Sequence, residues 1–278
     1  MKLFEKYGLS TLVCAPTGRA AIRLQELSGI MASTVHRLLE CAAGFTFKRN
    51  EENPLDCKLL VVDEFSMMDV GLSHALFKAL PSDILLVIVG DSDQLPSVGP
   101  GNVLKDIISS KKIRTHHLTE VFRQKEASQI ILAAHTINEG KIPDISHSIA
   151  TKSNQMAPLE SDFCFIEATA PDKITNIVNS LVSYILPQYG FSSEQIQILT
   201  PVNKNDLGAK SLNFNVQQQL NPYAPDKPEI TINATTYRVG DRVMQILNNY
   251  DKDIFNGEMG VISDVVKAGK TKKMQKIC

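Results

Sequence analysis

Short apolar runs punctuate the first half of the chain. Thr11–Ala15, Leu59–Val62 and Ile84–Val89 are rich in Val, Ile and Leu and have the length of strands buried on both faces. Between them, Gly18–Leu27, Thr34–Leu39 and Asp69–Leu80 carry apolar residues at helical spacing. Strands alternating with helices predict βαβ units, and so a parallel sheet whose working loops follow the strand C-termini. A polar stretch, Asn138–Glu160, interrupts the pattern with Pro143 and Pro158. The alternation then resumes, predicting strands at Phe163–Ile166 and Ile196–Thr200 and helices at Asp172–Leu186 and Gly208–Leu220. Three prolines within Asn221–Pro228 predict a linker. Beyond it, Ile230–Ile232, Arg242–Leu247 and Gly260–Val266 are expected to form short strands. Turns such as Asn256–Gly257 join them, the pattern of a small β-barrel.

Composition narrows this picture without deciding function. The 278 residues are 43% hydrophobic and 21% charged, which fits a globular chain of one or two domains and excludes a mainly disordered one. No apolar run reaches the roughly 18–20 residues that span a bilayer, and the first ten residues contain no signal-peptide core. A cytoplasmic address is therefore expected. Cys14, Cys41, Cys57, Cys164 and Cys278 are scattered with no C-x-x-C spacing, which suits reduced thiols rather than disulfides or zinc. With 29 basic and 30 acidic side chains, the bulk charge of −1 does not announce a nucleic-acid binder, so any such surface must be local.

The strongest local chemistry is the apolar run from Lys58 that ends in Asp63 and Glu64. Two carboxylates at the end of a buried strand need a cation or a function, because burying charge is costly. In nucleotide hydrolases the first acid of such a pair holds Mg²⁺, usually through water, and the second activates the attacking water. The alternative is that Asp63 only caps the following turn. A second strand ends at Asp91 and runs into a Gly/Pro-rich loop, Ser92–Gly101, where Gln94 offers a neutral donor and acceptor suited to sensing a γ-phosphate.

Ala15–Ala21, Thr34–Leu39, Val61–Met67, Gly90–Gly101 and Leu118–Gln124 occur in the order found in superfamily 1 DNA helicases. More narrowly, they resemble the RecD type, the exodeoxyribonuclease V alpha subunit and its stand-alone relatives. Ile198–Val202, Gly240–Gln245, Asn248–Asp251 and Phe255–Gly260 extend the resemblance almost to the C-terminus. It implies an α/β fold with a RecA-like parallel-sheet motor domain over 1–140, part of a second RecA-like domain over 141–228, and an SH3-like β-barrel insertion over 229–278. Residues 41–56 would form a hairpin pin that meets the duplex junction, with an aromatic tip able to stack on a base pair.

The implied cofactors are ATP and Mg²⁺. Asp63 would organise the metal, Glu64 would activate water, and Gln94 would couple the γ-phosphate to domain movement. Arg123 would direct its planar guanidinium at the γ-phosphate; an ordinary pair with Glu120 is the alternative. Pro16, Thr17 and Arg19 would contact a single strand of DNA after the first strand, and Thr200 and Pro201 would do so in the second α/β unit. Thr34 is either a DNA contact or a helix N-cap, and His36 either a DNA contact or a packed residue. The expected partners are single-stranded DNA and a duplex junction, with or without RecB- and RecC-like nuclease subunits. The C-terminal lysines, Lys267 to Lys276, read as a solvated tail, with phosphate contacts as the alternative.

One element of an ATP-driven motor is not in the sequence: no G-x-x-x-x-G-K-[ST] phosphate-cradling loop occurs. The chain is accordingly expected to be a helicase fragment, lacking also the late arginine-bearing motif, and inactive alone. The helicase part of a conjugative relaxase shares these motifs. A noncatalytic nucleic-acid-binding module without a P-loop is the reading from another class.

Overall fold

The computed structural model describes residues 8–42, 46–118, 128–146, 161–247, 249, 252, 254 and 256–266. The chain divides into two compact units, residues 1–118 with 244–258 and residues 119–243 with 259–278.

The first unit is built on a parallel sheet of four strands, β1 (Thr11–Ala15), β2 (Ala32–Thr34), β5 (Leu59–Val62) and β6 (Leu85–Ile88), in the order β2-β1-β5-β6. Three of the predicted strands thus form close to their expected limits, while the short β2 escaped notice because three residues carry no readable period. β5 is wholly buried. Its alternate side chains feed two cores: Leu60 and Val62 join Cys14, Val35, Phe65, Leu76 and Leu104, whereas Leu59 and Val61 pack with Val13 on the opposite face. Truncating Leu60 to Ala would cost about 2–5 kcal/mol through lost transfer and an unfilled cavity. β6 departs from expectation. It ends the described sheet and is only partly buried, with Leu85 on the surface, because β5 covers just one of its edges.

Helices α1 (Gly18–Ser28), α2 (Val35–Leu38), α3 (Val70–Lys78) and α4 (Val103–Ser110) complete this unit. Thr17 caps α1, accepting the Ala20 N–H at 3.3 Å, and Gly29 in a left-handed conformation closes it. Between α2 and β5, strands β3 (Cys41–Ala42) and β4 (Thr46–Phe47) pair antiparallel; residues 43–45, with the Phe45 of the expected aromatic tip, lie outside the described residues. Arg49 ties the hairpin's base to Glu40 at 2.7 Å.

The second unit begins its described part with α5 (Gln129–Asn138) and continues with α6 (Pro171–Ser180) and α7 (Ala209–Leu220). The predicted helix Asp172–Leu186 forms, but it widens into a π-turn over Leu181–Ile185. Pro187 supplies the reason, since it has no N–H to continue the helical ladder. Phe163–Ile166 and Ile196–Thr200 are not strands. Among the described residues neither segment pairs with a strand, and Leu199 is 89% exposed. A period-two or apolar run proposes an edge, but only a partner makes it a strand.

Strands β7 (Glu229–Ile232) and β8 (Thr235–Arg238) form an antiparallel hairpin, and β9 (Arg242–Met244) pairs with β10 (Met259–Val261). The last two are shorter than predicted. Asn221–Pro228 is no loose linker. Its Asn221 amide donates to Asp241 at 2.6 Å and to the Val239 carbonyl at 3.1 Å, and Lys227 bonds the Asn221 side chain. Among the described residues no helix is long and apolar enough to cross a membrane.

Candidate nucleic-acid interface

All four strands of the parallel sheet point their C-termini to one edge, and their register brings the following loops level. Ala15 stands opposite Thr34, Cys14 opposite Val62, and Val62 opposite Ile88. Beyond the strand ends the ladder continues: Asp63 donates its N–H to Cys14 O at 2.9 Å, and Val89 to Val62 O at 2.8 Å. The edge of a parallel sheet beyond its strand C-termini is where open α/β folds bind ligands.

Five of the predicted DNA contacts converge there. Pro16, Thr17 and Arg19 follow β1, Thr34 and His36 bracket the β2–α2 junction, and together with Gly18, Asn256 and Gly257 they line a cleft of about 390 Å³ within the first unit. Thr34 is the helix cap that one reading expected, and it also lines the cleft. Its hydroxyl accepts the Arg37 N–H at 3.2 Å as the cap of α2, and the residue still faces the cleft. Thr17 does the same at α1. A hydroxyl that accepts from a helix amide keeps its own proton as a donor, so each threonine retains an O–H to offer an anion. Arg19 is exposed on the first turn of α1, where the helix's unpaired amides favour negative charge. His36 also packs, its ring 6.2 Å from that of Phe47 in the hairpin.

Asp63 and Glu64 sit half-buried at the end of β5. Asp63 Oδ1 accepts the Glu64 N–H at 2.9 Å, and Glu64 itself takes a left-handed backbone, φ 53° and ψ 37°. The turn then enters a 3₁₀ helix, Phe65–Met67, whose start is held by Phe65 N–H on Val89 O at 3.0 Å. Gly90 is required beside it: a Cβ would stand 3.1 and 3.2 Å from the Ser66 and Phe65 amide nitrogens and 2.9 Å from Leu104 Cδ2. The neighbouring loop is pinned by Val70 N–H to Pro100 O at 3.0 Å and by the Ser97 hydroxyl to Gly99 and Gly101 carbonyls at 2.9 and 3.2 Å. Gln94 is exposed on that loop, after Asp91. Among the described residues no cluster of three His, Cys, Asp or Glu side chains could hold a metal alone. One carboxylate at a strand end instead fits Mg²⁺, which commonly takes one or two protein carboxylates and completes its shell with phosphate and water.

The remaining predicted residues lie elsewhere. Thr200 and Pro201 belong to the second unit, where the Thr200 hydroxyl donates to Leu207 O at 2.8 Å. Arg123 and Glu120 lie outside the described residues, as do the lysines from Lys267 onward. Asn256 and Gly257 were legible as a turn and as part of the Phe255–Gly260 stretch of the resemblance; nothing in their spacing signals that a segment so far along the chain lines the cleft.

The AAA domain family model matches residues 1–155, and the model of the ATP-dependent RecD-like DNA helicase SH3 domain matches residues 212–277. The chain is 35% identical over 260 residues to the ATP-dependent RecD2 DNA helicase of Deinococcus radiodurans, covering 94% of this chain and 33% of that protein. It is 27% identical over 325 residues to the RecBCD enzyme subunit RecD of Haemophilus influenzae, covering 89% of this chain and 49% of that one. Among solved structures, Pif1 helicase from Bacteroides in complex with ADP-AlF3 and ssDNA matches with a TM-score of 0.48 at 16% identity, over 93% of this chain and 61% of that one. The chain thus spans one third to one half of these two relatives' lengths.

Proposed function

The chain belongs to the AAA domain family and carries an SH3 domain of the RecD-like DNA helicases, and on that premise we propose that it serves an ATP-dependent helicase moving 5′→3′ along single-stranded DNA in repair and recombination. The convergence of Pro16, Thr17, Arg19, Thr34 and His36 on one cleft, at the sheet edge that also carries Asp63 and Glu64, supports this reading most directly.

The cleft suits a phosphodiester. Two threonine hydroxyls, the Arg19 guanidinium and the N-terminus of α1 are donors, and none of them needs to read a base. Phosphate contacts position a strand without specifying its sequence, as an enzyme that must step along any sequence requires. At the neighbouring strand end Asp63 would hold Mg²⁺ together with nucleotide phosphates, and the metal would polarise the γ-phosphate. Glu64 takes the proton of the attacking water, and Gln94 couples the γ-phosphate to domain movement. Arg123 neutralises charge on the transferred phosphate, and Thr200 and Pro201 give the second unit its own foothold on the strand. The 278 residues contain no glycine-rich lysine loop to cradle phosphates, so by themselves they hydrolyse ATP negligibly.

Anisotropy of a labelled oligonucleotide, titrated with the chain over a range of salt, tests the DNA half. Affinity falls steeply with salt, and Arg19→Ala weakens binding while reducing the log–log slope by about one. Binding indifferent to salt, or to loss of Arg19, would overturn it. Steady-state ATPase with saturating single-stranded DNA stays at background; robust turnover would refute the inactivity of these residues alone.

A further inference from the structure

The function proposed above leaves the Asn256–Gly257 turn without a task, although it lines the same cleft. The turn is a fixed wall. Gly257 N–H donates to Gln245 O at 2.8 Å and Gln245 N–H to Glu258 O at 2.9 Å, continuing the ladder of β9 and β10. Further along, Asn249 and Ile254 exchange backbone hydrogen bonds of 2.7 and 3.1 Å. Gly257 has φ +93°, a conformation in which a side chain would be strained, and a Cβ there would stand 3.8 Å from Arg19 Cβ and Cδ. A side chain at this position would thus meet the stem of the residue that offers the cleft's guanidinium.

The lining is chemically divided. The donors suited to an anion, Thr17, Arg19 and Thr34, come from the β1–α1 and β2–α2 loops. The turn contributes a carboxamide, neutral and able both to donate and to accept, as base edges and sugar oxygens demand. About 390 Å³ lies at the small end of the roughly 300–1,000 Å³ of ligand clefts, room for one nucleotide rather than a length of strand.

We propose that Asn256 is a binding residue of a single-nucleotide subsite, hydrogen-bonding the base or sugar of the nucleotide whose phosphate rests on Thr17, Arg19 and Thr34. This deepens the DNA-binding reading of the cleft and rests on it. Being neutral, the contact adds affinity without releasing counterions, which separates it from Arg19.

Binding of a fluorescein-labelled oligothymidylate to the full chain, titrated at several salt concentrations, provides the test. Asn256→Ala weakens affinity about fivefold, the loss of one neutral hydrogen bond, with the salt slope unchanged. Asn256→Asp, which keeps the side-chain shape and so the turn, weakens it about tenfold or more by bringing a carboxylate to the phosphate. Circular dichroism melts at the wild-type midpoint establish that the variants are folded. If Arg19→Ala weakens binding while both Asn256 variants bind like the wild type, the subsite is overturned and the DNA-binding reading stands. Salt-indifferent binding by the wild-type chain would overturn the reading beneath it.

Discussion

Glu64 occupies a backbone conformation that a side chain with a Cβ adopts at a cost of about 1 kcal/mol. It is held there by neighbours on both sides: the Asp63 carboxylate takes its N–H, and Phe65 is anchored on Val89 O with its ring fully buried. Strain kept at a candidate water-activating carboxylate predicts a trade between stability and function. Glu64→Gly is expected to raise the unfolding free energy by roughly 0.5–1 kcal/mol in urea titrations, because glycine reaches φ 53° without the Cβ clash. A variant less stable than the wild type would show that the conformation is unstrained. The pair of acids was legible from residue order alone, since few reasons place Asp-Glu at the end of an apolar run. The left-handed turn was not legible, because it arises from how the β5 and β6 ends are tied together.

At the scale of elements, two helix junctions depend on distant residues. α5 begins at Ser128, whose hydroxyl does not cap the helix but donates to Asp162 Oδ2 at 2.6 Å, while Asp162 Oδ1 accepts the Gln129 and Ile130 amides at 2.8 and 3.3 Å. The Ser128 hydroxyl foremost, and then those amides, hold the Asp162 carboxyl below its usual pKa. A folded pKa below the unfolded value means that the stabilisation is complete above the unfolded pKa of about 3.9 and is lost as pH falls through the folded one. Asp162→Ala should therefore lower the melting temperature by a constant amount from neutral pH to about pH 5, with the difference shrinking below about pH 4. A difference that persists unchanged at lower pH would refute the capping role. The second junction is the Asp241 carboxylate, buried among the Arg238 N–H at 2.7 Å, the Gln217 amide at 2.5 Å and the Asn221 amide at 2.6 Å, which joins α7, the proline-rich segment and the β7–β8 hairpin. Asp241→Ala would strand the buried Arg238 N–H and deprive the half-buried Gln217 and Asn221 amides of one partner each, and is expected to destabilise the chain by about 2 kcal/mol in denaturant titrations; a loss under about 1 kcal/mol would mean that water replaces the network. In sequence the prolines of this segment advertised flexibility, and only the tertiary contacts of Asn221 and Lys227 reveal a fastened strap.

For the whole molecule, the near-neutral charge and average composition ruled out little, and order among motifs carried most of the information. The thiols illustrate how far composition reaches. Reduced cysteines were expected, and Cys14 proves fully buried, with burial and then its neighbour Cys57 pushing its pKa up to about 12. Its thiolate is therefore scarce at pH 8, and alkylation of Cys14 should proceed only at the rate of opening of the first unit, far slower than that of the partly exposed Cys41; equal rates would contradict the buried site. The sequence by itself determined the parallel sheet of the first unit, because β1, β5 and the core of β6 are apolar runs bounded by turn residues, and it determined which acids and loop residues stand at strand ends. Only the tertiary structure decided that Pro16, Thr17, Arg19, Thr34 and His36 share one cleft with Asn256 and Gly257, that Phe163–Ile166 and Ile196–Thr200 are not strands, and that Thr34 is cap and wall at once. The physical reason is common to all three. Periodicity and residue chemistry act along the chain, whereas pairing partners, register and cavity walls are made between segments that the chain holds far apart.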